Sequence, residues 1–258
     1  MNEAAVSGNG VPVVPRASRV VVITSDAPYL GGPLTWAALR ASALEFEFVE
    51  IDTLAFADAP DIGAAVEDAL TAVLRDADAA IAHSSAARPV IQAVSRVRPD
   101  MPVLLLSPML LTRDAPHVRL VRAVLRHTFV ARLLRNYARS KHRRLLTDRD
   151  YVTKQLNLLV RSDRITGALI DEAQARIRDP RTADAVERTV DVLTFSLTPV
   201  DTAANVRVRN RLALIGPGIL ERKTAKRMTC TVLPSATRSP MIETPDDVAR
   251  ALRSLLAS

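Results

Sequence analysis

The sequence predicts an α/β fold, a mostly parallel sheet flanked by helices with a helical block inserted into it. Three observations carry this. Short apolar runs recur between turn residues. Helical patterns separate the early runs. The alternation then stops, and residues from about 115 to 206 read as almost entirely helical before strand and helix resume.

The first run is RVVVIT at 19–24, followed by FEFVEI at 46–51, DAAIA at 78–82 and PVLLLS at 102–107. Most of these lack polar alternation, as strands buried on both faces should. Residues 34–43, 62–75 and 89–97 place apolar side chains at spacings of three and four, the mark of amphipathic helices packed on a sheet. Next comes a basic stretch, 117–144, predicted as one long helix or a helix pair. Val118, Val121, Leu125, Phe129, Leu133 and Tyr137 can line one face of it, flanked by arginines. Helical patterns continue over 151–161, 163–178 and 182–196. Two last strands, RLALIG at 211–216 and CTVLP at 230–234, precede a closing helix at 246–256. The expected organisation is a loose N-terminal tail (1–18), a sheet core (19–112 and 207–258) and a helical insertion (113–206).

Composition narrows the function classes. At 48% hydrophobic residues the chain can bury a full core, whereas 3% aromatics argue against a base-stacking nucleic-acid platform. A lone cysteine, Cys230, builds neither a disulfide framework nor a cysteine zinc site and fits a reducing interior, as a strand residue. No apolar run reaches the roughly 20 residues of a membrane-spanning helix, and the N-terminus lacks the basic start and apolar centre of a signal peptide. The expected location is cytoplasmic. There is no zinc-ligand spacing, phosphate loop or dinucleotide glycine motif, so neither metal nor cofactor is expected. The net charge of +7 is concentrated: residues 111–150 hold eleven Lys/Arg against three Asp, and the remainder is close to neutral.

Two stretches carry chemistry. IAHSSAARP, residues 81–89, sets Ser84 among small residues after an apolar run. PSATRSPMIETPDDVARAL, residues 234–252, closes the chain. Together with the layout they resemble the α/β-hydrolase superfamily in its single-domain form with a helical cap, over nearly the whole chain. In that family a strand feeds a sharp G-x-S-x-G turn that exposes a nucleophilic serine. The matching letters here are Ala82-His83-Ser84-Ser85-Ala86, with both glycines replaced by alanine. In the closing stretch Ser239, Pro240, Glu243 and Pro245 fall where the resemblance places them, and the catalytic histidine position is Arg238. The acid position falls near Ile219 in IGPGILERK, where Glu221 is a weak candidate. The oxyanion-loop His-Gly reads Thr24-Ser25, followed by Asp26, and the resemblance puts the backbone N–H groups of Asp26 and Ser85 at an oxyanion hole. Asp26 and Arg238 either pair across the former active site or stand separately in solvent.

Arginine stays protonated and cannot take a proton from serine. The resemblance therefore implies a degenerate member whose Ser-His-Asp triad is lost, with no confident catalytic residue. The expected function is binding, scaffolding or accessory. Its alternative is an enzyme with rebuilt non-triad chemistry, of lyase, cyclase or isomerase type, on an apolar or acidic small molecule. Pocket candidates are Ser25, Asp26, Ser84, Ser85 and Arg238. Partner candidates are an apolar small molecule in the pocket, and a protein or acidic surface, membrane included, against Arg119, Arg122, Arg126, Arg132, Arg135, Arg139, Arg143 and Arg144. The plainer reading of those arginines is a solvated face. Nucleic acid is not expected, and the sequence leaves the oligomeric state open. Trp36 is expected to pack beneath the 31–33 turn, and Asp52 to serve structure.

Overall fold

The six apolar runs become six strands: β1 (Ser18–Thr24), β2 (Phe46–Asp52), β3 (Ala79–His83), β4 (Val103–Leu106), β5 (Arg211–Ile215) and β6 (Thr229–Val232). All neighbours pair in parallel, in the order β2-β1-β3-β4-β5-β6. The computed structural model describes residues 17–24, 30–109, 116–198, 204, 207–208, 210–215, 229–232 and 238–257. Most of the expected N-terminal tail lies outside them.

The strand sequences follow from position in the sheet. β3 and β4 are central and buried throughout, so they carry no polar alternation. β2 is an edge strand and half-exposed, and it alone interleaves glutamates with apolar residues. Glu47 and Glu50 pair with Arg19 and Arg40. Alternate side chains of each strand feed two separate cores. Val20, Val22, Ile81, Leu104 and Leu106 enter one, and Val21, Ile23, Ala80, Val103 and Leu105 the other.

Helices α1 (Pro33–Ser42), α2 (Ile62–Leu74) and α3 (Ala87–Val97) connect the early strands. Proline at its first position starts α1, and the Asp61 carboxylate accepts from the Ala64 N–H at 3.0 Å to cap α2. Trp36 and Leu39 of α1 are buried in the first core. Val66, Leu70 and Leu74 of α2 and Val90, Ile91 and Val94 of α3 fill the second.

Between β4 and β5 stands the helical cap: α4 (Pro116–Arg126), α5 (Thr128–Thr147), α6 (Arg149–Leu156), α7 (Gly167–Arg178), α8 (Pro180–Glu187) and α9 (Thr189–Ser196). Asp148, Thr166 and Asp179 cap α6, α7 and α8 with their side chains. After β6 come α10 (Pro240–Glu243) and α11 (Pro245–Leu256), each opened by proline. Leu145, Val152, Leu156, Leu169, Ala173 and Ile177 of the cap belong to the same core as Val248 and Leu252 of α11. The cap is packed into the sheet domain, not tethered to it.

Of the two forms expected for the basic stretch, the structure has the helix pair, broken where His127 turns extended (ψ 127°). The six apolar positions are therefore split between α4 and α5, and they differ in burial. Val118 and Leu125 are buried, but Val121, Phe129, Leu133 and Tyr137 are exposed. Periodicity marks which side chains share a face and is silent on whether that face meets the core.

Candidate functional site at the end of β3

β3 ends at His83, and the chain enters a tight turn, Ser84–Ala86, that leads directly into α3. Ser84 has φ +54°, the left-handed region that a residue with a Cβ adopts only at a cost of roughly 1–2 kcal/mol. The two alanines explain how the turn survives without glycine. Ala86 sits at φ −64° and ψ −16°, an ordinary helical conformation. The methyls of Ala82 and Ala86 are buried in the second core beside Val21 and Ile23.

The register surrounds Ser84 with neighbours at one level. His83 pairs with Leu106, which puts Ser107 beside Ser84 at the end of β4. Ser107 also has a positive φ, +43°. The Met109 N–H donates to the Ser84 carbonyl at 3.0 Å, and the Ser107 N–H to the Leu214 carbonyl at 2.8 Å. On the other side, β1 ends at Thr24. The hydroxyls of Thr24 and Ser107 are buried and make no hydrogen bond among the described residues. Ser85, next along the turn, is buried; Ser84 itself is half-buried.

His83 is fully buried, and its Nε2 lies 2.7 Å from the Arg238 carbonyl oxygen. A carbonyl only accepts, so Nε2 carries the proton and donates. That nitrogen is unavailable as a base. The contact brings the closing segment to the turn: the Arg238 backbone abuts the residue preceding Ser84, while the Arg238 side chain is exposed. Sequence positions 83 and 238 thus meet. Glu243 serves the framework. Its carboxylate accepts from the Arg161 backbone N–H at 2.7 Å and ties the closing segment to the cap. Ser25, Asp26, Ile219 and Glu221 lie outside the described residues, and with them the Asp26–Arg238 pairing.

Sequence reasoning missed the cap's polar anchors. Arg176 of α7 pairs with Asp52. The Glu172 carboxylate accepts from the Leu34 N–H at 2.8 Å at the start of α1. Arg188 donates to the carbonyls of Ala57, Ala59 and Pro60. Only the placement of acids and arginines at helix and strand ends hinted at them.

A groove of about 530 Å³ runs between the start of α2, the first turn of α3 and α9. Asp61, Glu67, Arg88, Arg188 and Asp191 contribute to its wall. Among the described residues, none of the pocket candidates Ser84, Ser85 and Arg238 lines it. Glu67 faces Arg88 at 3.5 Å and Arg96 at 3.2 Å. Burial pushes the Glu67 carboxyl up and the Arg88 guanidinium down, against their mutual attraction. No group of three or more His, Cys, Asp or Glu able to hold a metal occurs among the described residues.

Of the eight cap arginines, Arg119, Arg132, Arg135 and Arg143 are exposed. Arg139 forks onto Glu187, and Arg144 reaches Asp148 at 3.5 Å and lies 4.2 Å over the Tyr151 ring. Arg122 is half-exposed, and the Arg126 side chain lies outside the described residues. Among the described residues no helix is long and apolar enough to cross a membrane.

No family model and no curated protein matches the chain. Solved structures do. A haloalkane dehalogenase, DbeA from Bradyrhizobium elkani, is 13% identical with a TM-score of 0.62, over 95% of this chain and 91% of that one. A serine hydrolase involved in carbazole degradation, the CarC enzyme, is 16% identical with a TM-score of 0.60, over 93% and 91%. Cfl2 from Burkholderia cenocepacia is 15% identical with a TM-score of 0.54, over 93% and 88%.

Proposed function

From the α/β-hydrolase fold that this chain adopts, we propose that it is a catalytically degenerate member acting as a binding, scaffolding or accessory protein. One observation carries the reading. The residue that the resemblance aligns with the general base, Arg238, meets the serine turn through its main-chain carbonyl, which accepts from His83 Nε2, while its guanidinium is exposed. A serine hydroxyl without a base is a poor nucleophile, and loss of the triad histidine alone costs on the order of a millionfold in rate. Arginine at 238 cannot substitute, because it holds its proton at any working pH. The retained sheet, turn and cap keep a framework on which a partner or ligand can be held.

A second reading is favoured by the backbone of Ser84. The turn keeps a strained φ of +54°, and two buried hydroxyls, Thr24 and Ser107, flank it. Strain of this kind collects at working sites. Rebuilt chemistry of lyase, cyclase or isomerase type would use Arg238 to hold a carboxylate or an enolate oxygen. Its substrate would be an apolar or acidic small molecule.

Fluorophosphonate labelling of the purified protein, beside a Ser84→Ala control, tests the proposal. The expected result is no Ser84-dependent labelling. Labelling that disappears in the control would restore serine-hydrolase chemistry and end the degenerate reading. A small molecule turned over by the parent but not by Arg238→Ala would establish the second reading.

A further inference from the structure

The outward faces of α4 and α5 combine two properties that rarely occur together on a solvated surface. The first is large exposed apolar side chains. Leu120 is 65% exposed, Phe129 64%, Leu133 52% and Tyr137 67%, with Val121 and Val124 beside them. On α5, Phe129, Leu133 and Tyr137 recur every four residues and form one stripe along successive turns. The second is charge of one sign. Residues 116–147 contain eight arginines and a lysine and no Asp or Glu. Exposed Arg132 and Arg143 lie three positions after Phe129 and six after Tyr137, on the flank of the same stripe.

The orientation of both helices follows from what they bury. Leu125 of α4, Ala131 and Leu134 of α5 and Val190 of α9 share a small core, so the remaining faces of α4 and α5 look away from it. A second copy of this chain would bring like charge against like charge there. A nucleic acid would meet mostly aliphatic side chains in place of stacking rings. An anionic bilayer surface meets both properties at once. Phosphates and carboxylates of its headgroups take the arginines, and the headgroup–acyl boundary takes Phe129, Leu133, Tyr137 and Leu120.

We propose that the α4–α5 face of the cap docks on anionic membrane surfaces, lying on the bilayer without spanning it. This site is separate from the Ser84 turn and stands whether or not that turn is catalytic.

Co-sedimentation of the full chain with phosphatidylcholine vesicles, with and without phosphatidylserine, tests it. The expected result is partitioning onto the anionic vesicles only, weakening as salt rises. Phe129→Ser/Leu133→Ser and Arg132→Glu/Arg143→Glu should each lower it tenfold or more, with circular dichroism unchanged. Tyr137→Trp supplies a direct readout: its emission should shift to the blue on anionic vesicles, whereas Trp36 is buried in the core. Absence of binding, equal binding to neutral vesicles, or binding indifferent to the Phe129/Leu133 pair would each overturn the proposal. Capture by polyglutamate without capture by vesicles would overturn it in favour of an acidic protein.

Discussion

The Arg176 guanidinium donates two hydrogen bonds to the Asp52 carboxylate, at 3.0 and 3.1 Å, joining the cap to the end of β2. Asp52 also accepts from the Leu54 N–H at 3.0 Å, so one carboxylate caps the turn after β2 and anchors α7. Arg176 is 13% exposed and Asp52 29%, which places the pair between a surface bridge and a buried one. Arg176→Ala should destabilise by about 1–3 kcal/mol in chemical denaturation. Arg176→Lys should recover little, because an ammonium cannot fork. Gly31→Ala should strain the same place. Gly31 has φ +121°, and an added Cβ would stand 3.0 Å from the Arg176 guanidinium.

Ser84→Gly offers a stability test of the turn. Glycine adopts φ +54° without the steric penalty that serine bears, so the variant should gain up to about 1 kcal/mol. Thermal unfolding reads it out. A loss of stability would mean that the serine side chain makes contacts that outweigh the strain.

At position 238 the structural contact and the chemistry separate. The acceptor for His83 is the Arg238 main-chain carbonyl, so Arg238→Ala should leave stability nearly unchanged. His83→Ala removes a fully buried side chain and the donor to the Arg238 carbonyl, and should cost about 1–3 kcal/mol. Arg238→His returns a base to the position and should raise fluorophosphonate labelling of Ser84 above the parent. Unchanged labelling would mean that the imidazole does not reach the serine.

Glu67 and Arg88 form a pair whose desolvation works against it. Glu67→Gln should destabilise by about 1–3 kcal/mol, since it removes the carboxylate facing the largely buried Arg88. Arg88→Gln should cost less, because Arg96 still faces Glu67 at 3.2 Å. The double variant should be no worse than Glu67→Gln alone. Additive losses in a double-mutant cycle would show that the two do not act together.

Asp179 gives stability a pH dependence at the acid end. The Arg181 side chain beside it holds its carboxyl at about 2, against an ordinary 3.8. A carboxyl depressed in the folded state contributes stability that is complete above the ordinary value. That contribution is lost as pH falls toward the folded one. The stability difference between parent and Asp179→Asn should therefore shrink between about pH 4 and pH 2. A constant difference across that window would contradict the assignment.

The sheet was legible in the sequence because its strands are buried on both faces, and continuous runs such as VLLL have no other comfortable home. The approach of the closing segment to the turn, through His83 and Arg238, follows two local motifs that the sequence displays. The exposed face of α5 was not. The spacing of Phe129, Leu133 and Tyr137 puts them on one face, and only the tertiary packing of Ala131 and Leu145 shows that α5 turns its other side inward. The arginine anchors were equally hidden. Arg176 and Asp52 are 124 positions apart, and an ion pair leaves no periodic trace.

β4 and β5 are hydrogen-bonded neighbours in the sheet, yet the entire cap separates them along the chain. During synthesis Val103–Leu106 therefore waits, its far edge unpaired, while the cap is made. At about 5–20 residues per second that wait lasts several seconds or more. A four-residue aliphatic edge left open for so long invites pairing with other nascent chains. Production of this protein should thus be limited by the timing of translation and by chaperone supply, and slowing elongation within the cap should lower the yield of soluble chain.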